Sequence, residues 1–158
     1  MKAFFRFADS FADEAVARGL IPMSVSAFDH CLSSEEYSAT PFVSYDDAKK
    51  AAHLPRYLKI ERNFVRLLDT LAISGVSRVY PPYKLRGLNP GSSKYRNIVK
   101  RGLRDKTADE LYFHELQARF VFNWDLTHWF FLQSEEDSAA LAKLVRANGL
   151  HVLTGPNL

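Results

Sequence analysis

Residues 55–80 read PRYLKIERNFVRLLDTLAISGVSRVY, and the chain changes its period within them. Tyr57, Ile60, Phe64, Leu67, Leu68 and Leu71 recur at spacings of three and four, which gathers them on one stripe of an amphipathic helix opening at Pro55. Lys59, Arg62, Asn63 and Arg66 fall on the other side. Gly75 ends the helix, and Val76–Tyr80 alternates as a strand does. A helix with one apolar stripe running straight into a strand predicts helices packed on a sheet.

Working outward, Pro81 and Pro82 close that strand and residues 87–93 read as a loop. Ser92 or Ser93 caps a basic helix containing Tyr95, Ile98 and Val99, with Gly102 as its stop. Thr107 and Glu110 have capping-box spacing and predict a short helical turn. Residues 111–122 can continue that turn as a helix, but the alternation over 116–122 favours one arm of a hairpin, with Asn123–Asp125 near its turn and residues 129–132 as the other arm. Residues 135–148 predict a helix with Ala139, Leu141, Leu144 and Val145 inward, and Gly149 as its left-handed stop; residues 151–154 form a last short strand.

Toward the N-terminus, residues 2–8 (KAFFRFA) read as an aromatic strand with Arg6 in its middle. Asp9 or Ser10 caps a helix that Gly19 and Pro22 end. Residues 23–41 show no clear period and are read mostly as loop, and Ser44 with Asp47 opens a short helix. The expected fold class is α+β: one domain over residues 1–158, with a mostly antiparallel or mixed sheet of about four to five strands. Helices pack on that sheet, and a βαβ-like unit closes the chain.

With 47% apolar and 25% charged residues in 158, the chain has material for one hydrophobic core. Cys31 is the single cysteine and has no internal disulfide partner, which favours a reducing compartment. The first thirteen residues include Asp9 and lack the apolar run of a signal peptide. No apolar stretch approaches the roughly 20 residues of a membrane span. The expected location is cytoplasmic, with no membrane partner.

The net charge of +3 is unevenly spread. Lys84, Arg86, Lys94, Arg96, Lys100, Arg101, Arg104 and Lys106 face one acid, Asp105, within 23 residues. Arg96, Lys100 and Arg104 recur every four residues, the spacing of one helix face. Such cations neutralise phosphates, and Tyr80, Tyr83 and Tyr95 between them add rings on which bases can stack. The expectation is a small basic binding protein that contacts nucleic acid, or a ribonucleoprotein, through Lys84, Arg86, Lys94, Tyr95, Arg96, Lys100, Arg101 and Arg104, without a cofactor. The five histidines lack zinc-site spacing, and no metal site is expected.

Two alternatives stand beside it. Arg6 in the first strand, a Ser/Thr-containing stretch over 37–44 and Glu115 followed by Gln117 and Arg119 resemble, in order, the elements of ADP-ribosyltransferase-like domains. The resemblance implies an NAD-dependent enzyme in which Arg6 grips a dinucleotide phosphate and Glu115 stabilises a ribosyl cation. The Glu-x-Gln order is the reverse of the usual one, and the long helix over 57–71 departs from that pattern. The other alternative is a module that binds a protein partner or a second copy of itself. Phe120, Phe122, Trp124, Trp129, Phe130 and Phe131 would supply an aromatic hairpin surface, with Phe4, Phe5 and Phe7 near it.

Overall fold

The computed structural model describes residues 11–80 and 84–153. In chain order the elements are α1 (Phe11–Ala17), β1 (Ile21–Ser26), α2 (Ser34–Ala39), α3 (Tyr45–Lys50), α4 (Leu54–Ala72), β2 (Val76–Tyr80) and β3 (Lys84–Leu88). They continue with α5 (Ser93–Leu103), β4 (Glu110–Phe113), β5 (Ala118–Val121), β6 (Thr127–Leu132), α6 (Glu135–Ala147) and β7 (His151–Leu153). The fold is α+β on a single sheet. Seven described strands run in the order β3-β2-β4-β5-β6-β1-β7, two more than the upper end of the expectation, and every pairing is antiparallel.

Of the strands that were not expected, β1 and β3 run into stretches that read as loop, and β4 begins where a helical turn is expected. In β1, Met23 and Val25 point into the core while Ser24 and Ser26 point to the other face, so the polar residues are half of a strand's alternation. In β3, Lys84, Arg86 and Gly87 are exposed because the strand is a sheet edge. Thr107 and Glu110 open no helix: the Thr107 hydroxyl donates to Asp109 at 2.8 Å, and Glu110 begins β4. The expected hairpin is present as β5 and β6, paired from Arg119↔Phe131 to Val121↔Trp129. The βαβ-like unit is split. β6 and β7 are both antiparallel to β1, hence parallel to each other, with β1 between them and α6 making the crossover. The expected strand over 2–8 lies outside the described residues.

One face of the sheet carries Met23, Val25, Val76, Leu88, Leu111, Phe113, Phe120, Phe130 and Leu132. Three helices cover it with Phe64, Leu67 and Leu68 of α4, Tyr95, Ile98 and Val99 of α5, and Leu141 and Val145 of α6. Ala139, expected inward, is exposed. Removing a ring such as Phe64, 1% exposed, costs about 3–5 kcal/mol in a core of this kind. α4 is the middle helix. On one side the Tyr57 hydroxyl donates to the Leu103 carbonyl at 2.7 Å, while Asp69 lies beside the Tyr95 hydroxyl, so α4 and α5 run antiparallel. On the other side Asn148, at the end of α6, shares a groove with Arg66 and Thr70. Gly102 is no stop: it is buried inside α5, where a Cβ would stand 2.5 Å from the Phe122 ring. The opposite face of the sheet holds a smaller cluster, Val79, Tyr112, Val121 and Phe131, beneath Ala15 of α1 and Leu20.

Candidate nucleic-acid interface

Because α4 must bury one stripe, its polar residues emerge together. Arg56, Lys59, Arg62 and Arg66 are exposed at spacings of three and four, a row along the outer side of the middle helix. The same reasoning exposes Lys94, Arg96, Lys100 and Arg101 on α5, whose N-terminus is fixed by the Ser92 hydroxyl accepting from Tyr95 N–H at 3.2 Å. On α5 Arg96 and Lys100 lie along one flank and Lys94 and Arg101 along the other, and the antiparallel packing sets this exposed side beside the row on α4. In β3, Lys84 and Arg86 share a side with Leu88, which faces the helical layer, so they add to the same side of the molecule. On α4, α5 and β3 together ten cations are exposed and one acid, Asp69. None of the ten is in an ion pair among the described residues.

Six of the eight sequence-predicted contacts therefore stand exposed on this side: Lys84, Arg86, Lys94, Arg96, Lys100 and Arg101. Two are placed differently. Tyr95 is fully buried; burial, and then the Asp69 carboxylate, push its phenol up, and the ring is core rather than a surface for stacking. Arg104 lies at the end of α5, where the helix no longer holds it in row with Arg96 and Lys100. Its guanidinium forks onto Glu61 at 2.6 and 2.8 Å and lies 4.2 Å from the centre of the Tyr45 ring. With only 17% and 11% of the two side chains exposed, the pair ties α5 to α4. The Glu61 carboxylate raises the pKa of Arg104. Tyr80 is also occupied, with Arg78 and Arg86 lying 4.4 and 4.7 Å from its ring centre. Tyr83 lies outside the described residues.

Arg56, Lys59, Arg62 and Arg66 were absent from the predicted contact set. Their helical spacing was visible, but only the packing of α4 beside α5 joins them to the basic segment. The other two readings gain less from the placement. Arg6 lies outside the described residues, and Glu115 is exposed in the tight connection between β4 and β5. Arg119 is buried and forks onto Glu110 at 2.6 and 2.7 Å. In the hairpin, Phe120, Phe130 and Phe131 are wholly buried, and Phe122 and Trp129 half-buried. Trp124 alone of the six expected hairpin aromatics is exposed, at 54%.

Among the described residues no helix is long and apolar enough to cross a membrane. Comparison with protein-family models, curated proteins and solved structures finds no significant match to this chain.

Proposed function

We propose that this chain binds the phosphate backbone of nucleic acid across the outer side of α4, α5 and β3. The observation that carries the reading is the imbalance of ten exposed cations against one exposed acid on those three elements. Cations fixed on helices at spacings of three and four suit a regular line of phosphates, and each phosphate neutralised releases counterions. The aromatic side of the expectation falls away for Tyr95, which the core claims, and for Tyr80, which two guanidinium groups cover. With Tyr80 and Tyr95 both occupied among the described residues, contact through charge favours a duplex over an unpaired strand, since unpaired bases are held chiefly by stacking. Fluorescence anisotropy with labelled duplex DNA, duplex RNA and single-stranded DNA across a salt series tests this. Duplex binding whose log affinity falls linearly with log salt is expected. Absence of binding to all three at low salt would end the proposal.

A further inference from the structure

The sheet face turned away from α4, α5 and α6 carries a cavity of about 210 Å³ at the end where β1, β6 and β7 meet. Its floor is a cross-strand row in which Ser24 stands between Trp129 and Leu153. Phe28 and Tyr37 wall it from the segment after β1, and Asp125 enters it from the β5–β6 turn. The Ser24 hydroxyl and the Oδ1 atom of Asp125 are buried, and neither has a hydrogen-bond partner among the described residues.

The turn that presents Asp125 is held in a conformation its sequence does not favour. Leu126 has φ +57°, a left-handed value costly for a residue with a branched side chain. Two hydrogen bonds impose it: Ala27 N–H donates to the Leu126 carbonyl at 3.0 Å, and Asn123 N–H donates to His128 Nδ1 at 3.0 Å. His128 is itself fully enclosed, 4.7 Å from Phe64 and 5.7 Å from Phe120 between ring centres. Strain maintained by surrounding packing at one turn is a mark of positions where geometry matters.

The charges around the cavity select its ligand. Among the described residues no lysine or arginine acts on Asp125; only nearby backbone N–H groups and the Thr127 hydroxyl offset its burial, which raises its pKa. His30 also lines the cavity, but both its ring nitrogens are taken, by Asp29 at 2.7 Å and Glu36 at 3.0 Å. An anion would meet Asp125, and the His30 ring, held between Asp29 and Glu36, has no nitrogen left to receive it. A purely apolar group would leave the carboxylate uncompensated. A cation with a short aliphatic stem would answer both the carboxylate and the rings.

We propose that this pocket binds an alkylammonium group, with Asp125 as its counter-charge and Phe28, Tyr37 and Trp129 as its walls. The group could be supplied by a free amine or by a lysine side chain on another chain.

The protein carries its own reporter, because its two tryptophans are Trp129, in the wall, and Trp124, whose ring is 5.9 Å from Tyr37. Intrinsic fluorescence of the full chain is titrated with n-butylammonium chloride, with n-butanol as the neutral counterpart, and with Nα-acetyl-lysine methylamide. A saturable change with butylammonium, at least tenfold weaker with butanol and in D125N, is expected. Saturation by the lysine derivative as well assigns the ligand to a protein side chain, and its absence assigns it to a free amine. Tyr37→Ala, on the surface helix α2, is the second variant and should weaken binding while keeping the native circular dichroism spectrum. Equal responses to butylammonium and butanol, or unchanged affinity in both variants, would overturn the proposal.

Discussion

Replacing Arg62, Arg66, Arg96 and Lys100 together by Gln removes four of the ten exposed cations on the proposed interface and no buried contact. The consequence can be worked from the counterion relation. Each lost phosphate contact makes the plot of log affinity against log salt shallower by about 0.9, so four contacts change the slope by about 3.6. Between about 50 and 200 mM salt, the affinity lost by the wild-type protein should then exceed the loss in the variant by about 150-fold. Stability is expected to move little, since exposed substitutions away from caps and ion pairs usually cost under about 0.5 kcal/mol each. The partner measurement uses Arg104→Gln. Arg104 belongs to the same run of sequence but is spent on Glu61, so its loss should leave the salt slope unaltered. It should lower the unfolding free energy by about 2–3 kcal/mol through the nearly buried carboxylate left behind, 11% exposed. Anisotropy on a 20-base-pair duplex and urea denaturation of each variant are the two assays. A natively folded quadruple variant with the wild-type slope would refute the placement of the interface. A slope change of about one for Arg104→Gln would show that the ion pair opens on binding.

Three further outcomes are expected. Gly102→Ala should cost about 1–3 kcal/mol in urea denaturation, because the new methyl group meets the Phe122 ring at 2.5 Å and that ring is enclosed by Phe120 and His128. Burial holds the His128 pKa at about 3 in the folded state against 6.5 when unfolded, so the unfolded chain takes up the proton first as pH falls. Stability from this group is complete above pH 6.5 and declines by about 1.4 kcal/mol per pH unit below it, until the folded pKa is reached. His30, whose pKa is raised by Asp29 and Glu36, works in the opposite sense near neutrality, so urea midpoints should be compared between wild type and His30→Gln, with the decline persisting in both. Ala52→Gly should stabilise by roughly 0.5–1 kcal/mol, since Ala52 is exposed at φ +59°, and a lower thermal midpoint would contradict this.

What could be read from the residues alone follows from how local each signal is. The stripe of α4 and the caps at Ser44 and Ser92 are set by neighbours within a few positions, and the structure has them as the sequence implies. The helix α2 carried the same kind of signal, Ser33 with Glu36 in a reciprocal capping box, inside a stretch read as loop. β1 was obscured because Ser24 and Ser26 occupy the outward half of its alternation, and β3 because an edge strand exposes its cations. Arg104 illustrates the limit of helical spacing: four residues after Lys100 in sequence, it has left the helix and turned to Glu61. Tyr95 looked like a surface ring among cations, yet its position beside Ile98 and Val99 placed it on the buried stripe. The amine pocket had no local signature. Its lining runs from Ser24 to Leu153 and exists only after β1 has entered the sheet.

That entry sets a timetable for making the protein. β1 takes its place between β6 and β7, with Ser26 beside Thr127 on one side and His151 on the other. The first of these partners, β6, leaves the ribosome about a hundred residues after β1, a wait of about 5–20 seconds at bacterial or eukaryotic elongation speeds, and β7 follows later still. Until then Met23 and Val25 have no strand to lie against, while β2, β3, β4 and β5 can already pair with each other and fold onto α4 and α5. The sheet is thus completed from both ends of the chain at once. A nascent chain that has emerged from the ribosome only as far as the end of β5 would have β2, β3, β4 and β5 paired and the basic face assembled, with β1 still available to a chaperone.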